Sequence, residues 1–222
     1  MTERNVTDEQ CLKIRRQTDD LVRRVEQGNL PYDQVRNYLQ YLIEGKRLKV
    51  MKSFWIEKDG IIHFSVTSDG TTGPERIKRL EDKGFCISDF AKRLLNSSEF
   101  KPTNGITAEV AVLKGDLFSD GDRITKKIRA YAKKQKFTIP NAEIACLIRE
   151  QFTDEDIKVM GLSWIIAMHE PIKDSDGDPS LLSTLREGDG HWLDAYWDEP
   201  DGRWNYNCGF GFAFVQSQVS ST

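Results

Sequence analysis

What this chain lacks narrows it before anything it contains. No apolar run approaches the roughly 20 residues needed to cross a bilayer. The opening Met1-Thr2-Glu3-Arg4-Asn5 carries no apolar segment of the secretory kind, so a cytoplasmic protein without membrane contact is expected. The four cysteines, Cys11, Cys86, Cys146 and Cys208, are widely separated, form no C-x-x-C pair and sit among apolar neighbours, which suits reduced thiols rather than a disulfide framework. Histidine is scarcer still. With only His63, His169 and His191 present, acid–base work near neutral pH would fall mainly on carboxylates or lysines. No G-x-S-x-G, H-E-x-x-H, phosphate-loop or dinucleotide signature occurs. The net charge of −3 gives no whole-molecule attraction to nucleic acid.

What is present describes a folded protein. A chain of 222 residues can hide roughly 70% of its unfolded surface without staples, and 10% aromatic residues argue against disorder. Thr7-Asp8-Glu9-Gln10 has the form of a helix-capping box, followed by Ile14, Leu21, Val22 and Val25 at helical spacing and stopped by Gly28. A second helix after Pro31 places Val35, Tyr38, Leu39 and Leu42 on one face, so an antiparallel helical hairpin is expected over residues 1–50. The basic Lys46-Arg47-Leu48-Lys49 reads as a linker.

Further on, Phe54-Trp55-Ile56-Glu57 and Ile61-Ile62-His63-Phe64 flank Lys58-Asp59-Gly60, a hairpin signal. Helices are expected over 75–83, closed by Gly84, and from Ser88 to about residue 96. A strand follows over 106–113, then helices over 122–136 and 141–151 and a short acidic helix capped by Thr153.

The last quarter holds four of the five tryptophans, Trp164, Trp192, Trp197 and Trp204. It reads as strands over 164–172, 191–198 and 203–215 with strong turns at Glu187-Gly188-Asp189-Gly190 and Glu199-Pro200-Asp201-Gly202. In the last strand Trp204, Tyr206, Cys208, Phe210, Phe212 and Phe214 alternate with a face made flat by Gly209 and Gly211. That face invites a ring from Trp192 or Trp197, or a close backbone approach. The expected fold is α+β: an N-terminal helical hairpin, a mixed α/β middle and a C-terminal antiparallel Trp-rich β-meander, the last two forming one domain over 51–222.

Three features could carry function. Asp174, Asp176 and Asp178 alternate around Gly177 and resemble part of a calcium loop. The glycine falls at the fourth position and the twelfth residue is Leu185, so the simpler reading is a polar turn whose carboxylates cap backbone N–H groups. No cofactor is expected, with calcium or another divalent cation at this loop as the minority reading. His169 and Glu170, adjacent on one strand, would point to opposite faces and act separately. A zinc site of His169, His191 and Cys208 has no supporting spacing.

The third feature is the basic helix with Arg123, Lys126, Lys127, Arg129, Lys133 and Lys134, over a stripe of Ile124, Ile128, Tyr131 and Ala132. It could meet a partner, or it could be a solvated face or dock against the acidic C-terminal turns of its own chain. The tryptophans likewise suit either a ligand-stacking face or ordinary sheet core.

The segment Trp164-Ile165-Ile166-Ala167-Met168-His169-Glu170-Pro171-Ile172, running on to Asp174-Ser175-Asp176-Gly177, resembles an uncharacterised family of bacterial proteins. Asp122-Arg123-Ile124-Thr125-Lys126, Trp192-Leu193-Asp194-Ala195-Tyr196, Phe210 to Phe214, and Ile87 to Ala91 ahead of Phe100-Lys101-Pro102 share in the likeness, which spans about residues 35–215. The resemblance implies a bacterial source and a stand-alone small protein, and it carries no activity or site residue.

The resulting expectation is a non-enzymatic binding or regulatory protein whose partner is another protein. Contact would run through the basic helix or an apolar patch on the helical hairpin. Nucleic-acid binding through the basic helix is the alternative, and an enzyme with a carboxylate and histidine site near His169 is the third reading.

Overall fold

The computed structural model describes residues 7–27, 32–43, 55–173, 177–187 and 190–214. The chain divides into two compact units, Met1–Lys52 and Ser53–Thr222.

In the first unit, α1 (Asp8–Glu26) starts where the Thr7 carbonyl accepts from Cys11 N–H at 3.0 Å, and α2 (Tyr32–Ile43) follows. Thr18, Leu21 and Val25 of α1 and Val35 and Leu39 of α2 are half-buried, the pattern that helical periodicity predicts. The side chains of Tyr38 and Leu42, and the linker at 46–49, lie outside the described residues. None of the described residues of this unit is fully buried, because two helices alone enclose no core.

The second unit opens with the hairpin expected from sequence. Strand β1 (Trp55–Lys58) pairs with β2 (Ile61–Asp69) across Asp59 and Gly60. Both turn residues have positive φ, 53° and 73°, which gives the two-residue turn whose twist matches the strands. Helix α3 (Gly73–Asp82) has Pro74 in its first turn, and Thr72 N–H and Oγ donate to the Glu75 carboxylate at 2.9 and 2.7 Å. After β3 (Cys86–Ile87), Ser88 Oγ accepts from Ala91 N–H at 3.1 Å and starts α4 (Asp89–Asn96). A Cβ on Gly73 would lie 1.8 Å from the Leu95 carbonyl oxygen, so only glycine lets α3 and α4 approach this closely.

Then come β4 (Asn104–Lys114), α5 (Thr125–Lys134), α6 (Ile144–Gln151) and α7 (Asp154–Val159). The Asp156 carboxylate accepts from Thr153 N–H and Oγ at 2.7 and 2.6 Å. The chain closes with β5 (Trp164–Ala167), β6 (Ile172–Lys173), β7 (Pro179–Glu187), β8 (Gly190–Trp197) and β9 (Cys208–Phe214).

The strands form one mixed sheet in the order β1-β2-β4-β9-β5-β7-β8-β3, with β6 on β7. The protein is α+β, with the tryptophan-bearing strand series at its C-terminal end. Antiparallel pairing joins β5 to β7, β6 to β7 and β7 to β8. The last strand does not lie beside β8. It inserts between β4 and β5, antiparallel to β4 and parallel to β5. It also starts at Cys208 rather than Arg203, because the chain turns at Tyr206 and Asn207 and Arg203 bridges to Ile124.

Each strand face follows from alternation. Ile62, Phe64, Val66, Val110, Val112 and Ile165 meet Ile144, Leu147 and Ile148 of α6, and Leu182 and Leu193 meet α3 and α4 on the same side. Ile166, Leu181, Phe210 and Phe212 face Ile128 and Ala132 of α5 on the other side. Burial on both sides accounts for the apolar runs of β4, β5 and β9.

Candidate functional sites

Four of the six cations of the basic helix bond within their own chain, although Lys126 and Lys127 among them stay exposed. Arg123, in the turn before α5, is buried and donates to the carbonyls of Gly115 at 2.9 Å and Phe118 at 3.0 Å. Lys126 pairs with Asp201, and Lys127 reaches Asp122 at 2.7 Å and the Gly121 carbonyl at 2.9 Å. Hydrogen bonds from Lys127 and Ser119 hold the Asp122 carboxyl below its ordinary range. Arg129 donates to the carbonyls of Met168 and His169 at 3.1 and 3.2 Å and to Asp198 at 3.1 Å. Lys133 and Lys134 are exposed and carry no ion pair among the described residues. Lys126 and Arg129 therefore fasten α5 to the acidic turn beyond β8 and to the loop after β5, while Arg123 and Lys127 bond to the segment that leads into the helix.

His169 is not on a strand. Strand β5 ends at Ala167, and His169 and Glu170 lie in the connection to β6. The ring is 1% exposed, with Nδ1 donating to the Glu170 carbonyl at 2.6 Å and Nε2 accepting from Leu182 N–H at 2.9 Å. Burial pushes its pKa down to about 4, so the ring is neutral and neither nitrogen is free to accept a substrate proton at neutral pH. A shallow cleft of about 170 Å³ lies beside it, lined by Glu99, Lys101, Asn141 and Glu170 among others. Asn141 is already spent on the Lys101 carbonyl at 2.7 Å.

Asp174 and Asp176 lie outside the described residues; Gly177 has φ +87° and Asp178 is exposed. The His191 side chain is likewise outside the described set, and Cys208 is buried, with its thiol pushed up to about 11 by burial. Among the described residues no group of three His, Cys, Asp or Glu side chains is placed to hold a metal. No helix of the described residues is long and apolar enough to cross a membrane.

The flat face of β9 is occupied core. A Cβ on Gly209 would stand 2.6 Å from Val112 Cγ1 and 2.8 Å from Leu162 Cδ1. Aliphatic neighbours fill it, not the rings of Trp192 or Trp197. On the opposite face the rings of Trp164 and Tyr196 meet at 4.6 Å, and Trp204 reaches Phe210 at 5.8 Å and donates to Thr125 Oγ at 3.0 Å.

Sequence reasoning missed a charge network built around a buried arginine. Arg76 is fully buried and donates to Glu150 at 2.8 Å and Asp69 at 3.2 Å. Arg79 also reaches Asp69 and Glu150, and Lys83 reaches Glu150 at 3.2 Å. Arg79, Thr71 and then Arg76 hold the Asp69 carboxyl well below the usual range. Arg76, Arg79 and Lys83 recur at helical spacing, which is the signal that could have found it. Both carboxylates are saturated by these cations, so the network latches α3 to the end of β2 and to α6. Glu143, also buried, accepts from Thr103 N–H at 3.1 Å and from its hydroxyl, in the same structural manner.

Large apolar side chains are exposed on both units, Ile56, Ile106, Trp197 and Tyr206 among those of the second and five on the helical hairpin. Leu12, Ile14, Val22, Tyr32 and Ile43 are 52, 59, 48, 65 and 78% exposed. Comparison with known protein families, with curated proteins and with solved structures finds no match in any of the three.

Proposed function

We propose that this is a non-enzymatic cytoplasmic protein that binds another protein through its N-terminal helical hairpin. The exposed apolar set on α1 and α2 carries this reading. Five large apolar side chains in a unit with no fully buried described residue are a surface suited to burial against a partner. The candidate chemical groups of the second unit support it from the other direction. His169 has both ring nitrogens bonded, Cys146 is buried with its thiol pushed up to about 12, and Arg76 and Glu150 are paired with each other.

Nucleic-acid binding through α5 draws less support, because Arg123, Lys126, Lys127 and Arg129 are bonded within the chain. The discriminating experiment is amine cross-linking of the full chain in cell extract, read at Lys13, beside an Ile14→Glu/Ile43→Glu variant. The expected result is a stoichiometric cross-link at Lys13 that the variant loses. The same cross-links in both proteins, or none in either, would overturn the proposal. A bound fraction absorbing at 260 nm and released by salt would favour the nucleic-acid reading instead.

A further inference from the structure

Independently of the helical hairpin, we infer that the second unit carries a site for an alkylated ammonium ion, built on β8 from Trp192, Asp194 and Tyr196. Alternate residues of a strand share a face, so these three stand in line about 7 Å apart, a carboxylate between two rings. Strand register fixes which face that is. Trp192 lies beside Leu185 and, through it, Trp164; Asp194 lies beside Ser183 and then Ile166; Tyr196 lies beside Leu181. This is the side of the sheet on which Ile128 and Ala132 of α5 pack with Ile166, Leu181, Phe210 and Phe212. Toward β8 that cover gives out, and Trp192, Asp194 and Tyr196 are each half-buried. Leu193, between them in sequence, joins the core of α3 and α4 on the opposite side.

Both components of the row attract a cation. The face of an aromatic ring is the negative end of its quadrupole, and Asp194 adds a full charge between two such rings. Asp194 Oδ1 accepts from Ala195 N–H at 2.8 Å, and the carboxylate has no ion pair among the described residues. Arg93 and Arg149, which do stand over rings, use Phe90 and Phe85 elsewhere in the unit. The Tyr196 ring is also held in place. Trp164 meets it at 4.6 Å and 46°, and Trp204, tethered to Thr125 Oγ at 3.0 Å, stands 6.4 Å from it at 69°. A ring fixed in this way loses little rotamer freedom when a ligand arrives.

Two polar atoms on the same face are buried and have no partner among the described residues, Ser183 Oγ and Trp192 Nε1, and Ser183 is fully buried. Buried polar groups are normally bonded, and a hydroxyl or carbonyl on the ligand would give the Trp192 N–H an acceptor. The row also selects among ligand classes. A sugar would stack on the rings but draw no advantage from the charge of Asp194, and a phosphate would be repelled by it. A bare metal ion has no apolar surface to lay on the rings. An ammonium carrying alkyl groups uses the rings and the carboxylate together.

Tryptophan fluorescence of the full chain, titrated with choline at constant ionic strength, tests the inference. Dimethylbutanol, the uncharged carbon analogue of choline, is the companion probe, and circular dichroism confirms the fold of each variant. The wild type should show saturable quenching by choline and none by the alcohol. Asp194→Asn, which keeps an acceptor for Ala195 N–H, should weaken choline binding about tenfold. Glu155→Gln, which removes an exposed carboxylate on α7, should leave it unchanged. Quenching that never saturates or is absent, equal binding of the alcohol, or equal effects of the two variants would each overturn the inference. Cross-linking at Lys13 reads the hairpin and not β8, so the cation site and the protein-binding reading stand or fall separately.

Discussion

His169 shows how far surroundings can remove a residue from its usual chemistry. In the folded protein it is 1% exposed, it donates from Nδ1 to a carbonyl, and it accepts at Nε2 from Leu182 N–H. Protonating Nε2 would destroy the second bond and place a charge in the core, so burial holds the pKa near 4 against an ordinary 6.5. Above pH 6.5 the ring is neutral whether the chain is folded or not, and its contribution to stability is complete. Between pH 6.5 and 4 the unfolded chain takes up a proton that the folded chain refuses, so stability falls with pH, by roughly 3 kcal/mol over the full interval. His63, pushed down by burial and by Lys58, adds to the same trend. Urea unfolding at several pH values should show wild type losing stability through this window, and His169→Gln, although less stable at pH 7, should have a shallower slope. Parallel slopes would remove His169 from the account.

At the scale of elements, α5 illustrates a charge pattern whose meaning lies in its tertiary setting. Arg129 is 24% exposed and its partner Asp198 only 10%, and two carbonyls share the same guanidinium. Removing it leaves a nearly buried carboxylate unpaired, so Arg129→Ala should destabilise by about 2 kcal/mol. Lys133→Ala and Lys134→Ala, on the exposed side, should stay within about 0.5 kcal/mol. Equal effects in thermal or urea denaturation would refute this division of α5 into a bonded and a free side.

The same contrast explains what was legible in the sequence. The Asp59-Gly60 hairpin, the Ser88 and Thr153 starts and the Gly84 stop are local, each settled within a few residues by backbone stereochemistry and a nearby donor or acceptor. The place of β9 was not legible. Perfect alternation predicts a strand and says nothing about its neighbours, and β9 sits between β4 and β5, far from it in sequence, because Gly209 makes room for Val112 and Leu162. The latch of Asp69, Arg76, Arg79, Lys83 and Glu150 was hidden for the same reason, since its carboxylates come from opposite ends of the chain's middle third.

For the molecule as a whole, the distribution of burial predicts a distribution of stability. The second unit places its sheet between α3, α4, α6 and α7 on one side and α5 on the other, with the central strands β4, β9 and β5 buried on both faces. The first unit has no fully buried described residue. Local opening free energy follows buried apolar contact, so α1 and α2 should open far more often than β9. In dilute solution trypsin should therefore cut first at Lys13, Arg15, Arg16, Arg23 or Arg24 and leave residues 55–214 resistant. Amide exchange should be fast along α1 and α2 and slowest along β4, β9 and β5. Protection of α1 equal to that of β9 at every concentration would contradict this ordering.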